Sequence, residues 1–276
     1  MSRPRSASRG AFVPARKPEA ITSLGHLRSF LATVCSSQRL YIALHGHRLS
    51  RQGDLSLIAV RAFPHPDIYI IDIQELGHEA FTTRSVFGLT LQSVLENPVL
   101  RKVFWDVRDA ADALWGQHNV RIQGVIDLQL FENASRQSPR CQGWGRRGSV
   151  GSAGGRSLTY VQDLDSAMRH DLHLPVPERD YIARLQKVMA SRLPTTAFRL
   201  RPLDDDTIAF CANSIRYLPQ LHTIYLDRIT SEWIPKVRVE TYRRLDAAFG
   251  PRFDPQSPSK ALGPWADKEK TGVLFR

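Results

Sequence analysis

Apolar residues along this chain follow two rhythms. Tyr41–Leu44 and Leu55–Val60 are short apolar runs joined by the polar bend HGHRLSRQGD, which carries Gly46 and Gly53. Two such runs around a Gly-bearing turn predict a buried β-hairpin. Residues 67–73 (DIYIIDI) predict a third strand after the Pro64–Pro66 turn, and residues 101–107 (RKVFWDV) a fourth. Residues 124–130 begin as a fifth strand and run toward a helix. Helical spacing appears at Ile21, Leu24, Leu27, Phe30, Leu31 and Val34, so the pattern predicts an amphipathic helix over 21–35. Thr90 caps a short predicted helix that Asn97–Pro98 ends, and residues 108–118 form the next one.

Beyond residue 156 the periodicity is helical. It predicts helices over 157–170, 177–192, 204–229 and 231–249, with acids at 204–206 suited to a helix start and Pro219 breaking the long one. Strands followed by alternating helices imply an α/β fold, a mixed sheet covered by helices on both faces. Three segments fall outside this order. Residues 1–20 read as a disordered basic tail, and 251–276 as an irregular C-terminal tail. Residues 136–156 hold five Arg, many Gly and no acid, and read as a flexible insertion in a domain spanning 21–250. Its Trp144 among arginines suits stacking on single-stranded nucleic acid.

Composition narrows the partners. The formal charge of +11 favours a polyanion, nucleic acid before any other. Cys35, Cys141 and Cys211 lack the spacing of a disulfide framework or a zinc site, which fits a reducing, intracellular compartment, cytoplasmic or nuclear. The basic N-terminus leaves a mitochondrial destination open. No apolar run approaches the roughly 20 residues of a membrane helix, so no membrane partner is expected.

The hairpin also resembles a known motif. Ile42, Gly46, Leu49, Ser50, Arg51, Gly53, Leu55, Ser56, Leu57 and Ile58 match the first motif of the ribonuclease D-like 3′–5′ exonuclease domain, in its Egalitarian-type branch. Residues 95–98 (LENP), 102–104 (KVF), 106–108 (DVR) and 112–114 (DAL) resemble the second motif. Val125, Asp127 and Gln129, then 201–203 (RPL) and 210–215 (FCANSI), resemble later ones, and the likeness extends over roughly residues 20–265. It implies a ribonuclease H-like mixed sheet with a helical C-terminal part.

An active member of that family holds two divalent metals with four carboxylates, and a Tyr positions the attacking water. Here the resemblance places Ala43, His45, Ala110 and Ser214 at the carboxylate positions and Phe210 at the Tyr. Magnesium requires oxygen ligands, carboxylates above all. The expectation is therefore a degenerate site with no catalytic residue, no metal and no cofactor; magnesium or manganese enters only if the chain is an active exonuclease with its ligands elsewhere. Arg48, Arg51, Arg101, Lys102 and Arg108 are the expected contacts to RNA or single-stranded DNA, with structural roles weighed equally for Arg51 and Arg108. An adaptor or scaffold is the first expectation. An active exonuclease and a protein-interaction module are the alternatives, and protein partners stay open.

Overall fold

A computed structural model of the protein describes residues 17–137, 160–192 and 197–265. Six strands form one sheet: β1 (Glu19–Ile21), β2 (Arg39–His45), β3 (Leu57–Phe63), β4 (Ile68–Asp72), β5 (Arg101–Phe104) and β6 (Val125–Asp127). Their order is β1-β4-β3-β2-β5-β6. The expected hairpin is present as the antiparallel pair β2 and β3, in which Arg39 faces Phe63 and His45 faces Leu57. β4 pairs antiparallel with β3, whereas β1, β5 and β6 join in parallel. The expected mixed sheet is thus observed. β1 straddles the end of the segment read as a tail (1–20) and the first residue of the predicted helix, Ile21, because three residues are too few to show an alternation.

Side-chain alternation divides the core into two layers. Leu40, Ile42 and Leu44 of β2, with Ile58, Val60 and Ala62 of β3, face one side. There they meet α1 (Leu24–Val34), α4 (Leu91–Glu96), α5 (Arg108–His118) and the last helix, α11 (Trp233–Phe249). Two short helices, α2 (Ile73–Leu76) and α3 (Glu79–Thr82), lead from β4 toward α4. Tyr41, Leu57 and Ala59 face the other side. That side is covered by α7 (Leu164–Asp171), α8 (Val176–Arg192), α9 (Asp205–Arg216) and α10 (Leu218–Arg228), with α6 (Leu128–Gln137) continuing from β6.

The local signals act as read. Thr90 Oγ1 accepts from the Ser93 amide at 3.0 Å and Ser93 Oγ accepts from the Thr90 amide at 2.9 Å, closing a capping box. Asp204 caps α9 by accepting from the Thr207 amide. The long predicted helix is two, broken at Tyr217, because Pro219 sits in the first turn of α10, where its missing N–H costs nothing. The expected insertion lies outside the described residues from position 138 onward. Its first residue, Arg136, belongs to α6 and pairs with Glu132 at 2.9 Å. Residues 251–265 are largely irregular, with a single 3₁₀ turn at Pro258–Ala261. Among the described residues no helix is long and apolar enough to cross a membrane.

Candidate functional site

The antiparallel register puts Tyr41, Ala43 and His45 on the sheet face that α9 crosses. α9 carries Phe210 and Ser214 to the end of β2. His45 Nε2 lies 3.1 Å from Ser214 Oγ, and Ser214 donates its hydroxyl proton to the Cys211 carbonyl at 2.5 Å. A hydroxyl has one proton to give. With that proton on the carbonyl, Ser214 Oγ is free to accept from the imidazole, an arrangement that suits a neutral ring protonated at Nε2. Burial disfavours the imidazolium and lowers the His45 pKa to about 4.

Aromatic rings enclose this pair. The His45 ring lies 5.4 Å from Phe198 and 6.0 Å from Phe210, and the two phenyl rings are 6.2 Å apart. Ala43 packs half-buried in the same layer. Ala110, in the first turn of α5, is buried in the layer on the opposite face. The structure thus brings together His45, Phe210 and Ser214 and packs Ala110 elsewhere. Phe198 comes from the connection between α8 and α9, where no periodicity marks it in the sequence.

Two kinds of chemistry can be weighed against this pocket. A Ser and a His at 3.1 Å have the spacing of a nucleophile and its base. Here the serine proton is committed to a carbonyl, and an imidazole with a pKa near 4 is a poor base at neutral pH. The fold's usual metal pair is the second reading. Among the described residues no three His, Cys, Asp or Glu side chains are grouped to hold a metal. The residues present do not fit two magnesium ions.

The acids nearby are all engaged. Asp112 is fully buried and accepts from Arg51 Nε at 2.5 Å and from the Arg51 amide at 2.8 Å. Asp72 pairs with Arg201 at 2.5 Å and Asp127 with Arg244 at 2.7 Å. Asp106, with φ of 58°, binds Arg108, which together with Arg244 and Lys260 holds its carboxyl below the usual range against the cost of burial. Asp109 contacts Lys260.

The five expected cations have different surroundings. Besides Asp112, Arg51 donates to the Ala248 and Gly250 carbonyls at 2.8 and 2.7 Å, tying the hairpin bend to the end of α11. Arg108 adds the Lys260 carbonyl at 2.9 Å to its pairing with Asp106. Lys102 is fully buried on the Asn97 carbonyl, and burial lowers its pKa to about 7. These three are occupied inside the fold. Arg101 is exposed and reaches the Pro98 carbonyl at 3.4 Å. Arg48 is exposed, with a left-handed φ of 50°, and borders a cavity of about 410 Å³ with Arg199, Gln52 and Gln256. Asp54, paired with Arg199, and Asp254 share that rim.

No protein-family model matches the chain. It is 27% identical over 122 residues to piRNA biogenesis protein EXD1 of Bombyx mori, covering 42% of this chain and 37% of that protein. The human EXD1 is 24% identical over 210 residues, covering 75% of this chain and 36% of that protein. The chain spans little more than a third of these curated relatives. Among solved structures, Trypanosoma brucei RNase D superposes with a TM-score of 0.67 at 18% identity, over 90% of this chain and 79% of that one. The same enzyme in complex with RNA U12 gives 0.65 at 17% identity, over 95% and 85%. The fold is that of a ribonuclease D-like 3′–5′ exonuclease domain.

Proposed function

We propose that this chain binds RNA or single-stranded DNA on an exonuclease fold without cutting it, and serves as an adaptor or scaffold. One observation carries the loss of catalysis: a neutral His45, bonded to Ser214 and enclosed by Phe198 and Phe210, stands where the motif calls for metal-binding carboxylates. Hydrolysis by this fold needs paired cations to activate water and stabilise the leaving oxygen. Nothing in the pocket supplies that charge.

Nucleic acid as the partner rests on three supports. The chain carries a formal charge of +11. Arg48 is exposed just beyond His45 in the hairpin bend, and Arg101 is exposed at the far end of the sheet, opposite Arg39. A ribonuclease D of the same fold is seen with RNA, and the EXD1 relatives are named for piRNA biogenesis. A groove without the family's acids also lacks their repulsion toward a phosphate backbone.

End-labelled single-stranded RNA and DNA, incubated with and without magnesium or manganese, test the reading. The expected result is salt-dependent binding with no shortening of the strand. Metal-dependent trimming from the 3′ end would establish an active exonuclease instead. Absence of binding at low salt would leave a protein-interaction module.

A further inference from the structure

A cavity of about 850 Å³ opens between the C-terminal half of α11, the largely irregular residues 250–264 and Arg108 at the start of α5. None of His45, Phe198, Phe210 and Ser214 lines it. Its volume is that of a small-molecule site.

The inner wall carries hydrogen-bond donors that the fold does not use. Arg244 is 5% exposed, and its contacts to Asp127 at 2.7 Å, Gln129 at 3.0 Å and Asp106 at 3.7 Å all come from Nη1. Its Nε and Nη2 have no partner among the described residues. Arg108 spends Nε and Nη2 on Asp106 and the Lys260 carbonyl, which leaves Nη1. The Ser257 and Ser259 hydroxyls share one hydrogen bond at 2.8 Å, so one of their two protons remains. Guanidinium groups donate and never accept. A group rich in oxygen acceptors is what complements this wall.

Charge separates the wall from the mouth. On the fold side Asp106, Asp127 and Asp109 balance Arg108, Arg244 and Lys260. At the mouth Arg252 is exposed and has no partner among the described residues. The Arg243 side chain is 77% exposed and meets Glu240 only at 3.4 Å. Asp246 and Asp254 also stand at the mouth, in contact with water, where salt screens their repulsion. A phosphate suits this arrangement, because its oxygens accept from guanidinium forks and its charge meets two loosely held arginines. Pro251, Phe253, Leu262 and Pro264 give the cavity an apolar side for the rest of a ligand.

We infer that this cavity binds an organic phosphate of nucleotide size, a phosphate joined to a flat, largely apolar body. The site stands on its own residues and does not depend on the nucleic-acid reading. A free mononucleotide and the terminal nucleotide of a strand share this chemistry.

Isothermal titration with AMP, adenosine and inorganic phosphate tests the site. AMP should bind more tightly than either of its parts. The double variant Arg243→Gln, Arg252→Gln should weaken AMP binding about tenfold. Both side chains are exposed, so the fold tolerates their loss. Ala247→Phe, at an exposed position of α11 that lines the cavity, should block binding without changing the charge. Asp246→Asn should tighten it by removing an acid from the mouth. Arg238→Gln, on α11 but outside the cavity, should leave it unchanged. Near-ultraviolet circular dichroism confirms that each variant is folded. A 5′-phosphorylated oligonucleotide that competes with AMP would identify the end of a strand as the ligand, and one that does not compete would identify the free nucleotide. The assignment is overturned if the natural chain binds no AMP, or binds it no more tightly than adenosine or inorganic phosphate. Binding that survives both the double arginine variant and Ala247→Phe overturns it as well.

Discussion

His45 and Ser214 meet at 3.1 Å although 169 positions separate them. The bond works because the serine proton goes to Cys211, so the hydroxyl can accept from the imidazole. It leaves no place for a negative charge. His45→Glu would set a carboxylate against the Phe198 and Phe210 rings and compete for the hydroxyl proton that Ser214 donates to the Cys211 carbonyl. The expected cost is about 1–3 kcal/mol at neutral pH. Urea denaturation measures it, and a variant as stable as the natural chain would show the pocket to be more hydrated than the aromatic packing implies.

Acid should weaken the fold through the same residue. An unperturbed histidine ionises near pH 6.5, whereas His45 and His222 in the fold do so at about 4, chiefly because burial disfavours the charge. Between those values the unfolded chain takes up protons that the fold refuses. Stability therefore rises with pH across this window: it is full above 6.5 and is lost as pH falls through 4. His45→Phe removes one titrating group, fills the space with a third phenyl ring and leaves Ser214 bonded to Cys211. The loss of stability between about pH 7 and about pH 5 should be smaller in this variant. Identical losses in urea midpoint would remove His45 from the acid response.

Much of the architecture was legible because it depends on near neighbours. The hairpin, the Thr90 cap and the break at Pro219 follow from residues a few positions apart, where period and turn chemistry act. The absence of carboxylates at Ala43, His45, Ala110 and Ser214 was equally visible once the motif was recognised. What the sequence hid was partnership at a distance. Arg51 resembles a phosphate ligand until Asp112 and the end of α11 close on it, and Phe198 lies in a connection with no rhythm. Strand β1 was hidden for a simpler reason, its three-residue length.

Arg51 and Asp112 should behave as one structural unit. Asp112 is fully buried, and its partner also holds two carbonyls at the end of α11. Arg51→Ala would strand a buried carboxylate and free both carbonyls. Loss of one member of such a pair costs about 3–5 kcal/mol. Because Arg51 keeps some contact with solvent, the lower end of that range is expected. Asp112→Asn, which keeps the shape and an acceptor, should cost less. Denaturant midpoints for the two variants give the ordering, and a reversed order would mean that Arg51 is not what compensates the Asp112 charge.

Gly116 makes the same junction possible. A Cβ at this position of α5 would meet Arg51 Cβ at 2.2 Å and Arg51 Cα at 2.8 Å. Alanine normally favours a helix over glycine by about 1 kcal/mol. Here the methyl group would push the hairpin bend away from α5 and disturb the Arg51 pairing. Gly116→Ala should destabilise by about 1–3 kcal/mol despite its better helix propensity. A stabilised variant would mean that the bend can retreat without loss.

Lys102 carries the opposite pH signature from a surface lysine. Its ammonium group sits among apolar neighbours on the Asn97 carbonyl, and burial brings its pKa from 10.5 to about 7, with Arg101 adding repulsion. Between pH 7 and 10.5 the unfolded chain binds a proton that the fold does not. Stability attributable to this residue therefore rises with pH through that window, and the full cost of the buried charge is felt below 7. Lys102→Met keeps the length of the side chain and removes the charge. Its only polar penalty is an unpaired Asn97 carbonyl, about 1 kcal/mol. The variant should be more stable than the natural chain at neutral pH, by about 1–3 kcal/mol, with the advantage shrinking as the solution becomes alkaline. Thermal unfolding across that range reads both the sign and the slope. A methionine variant that is less stable at every pH would show that Lys102 stabilises the start of β5 through its charge.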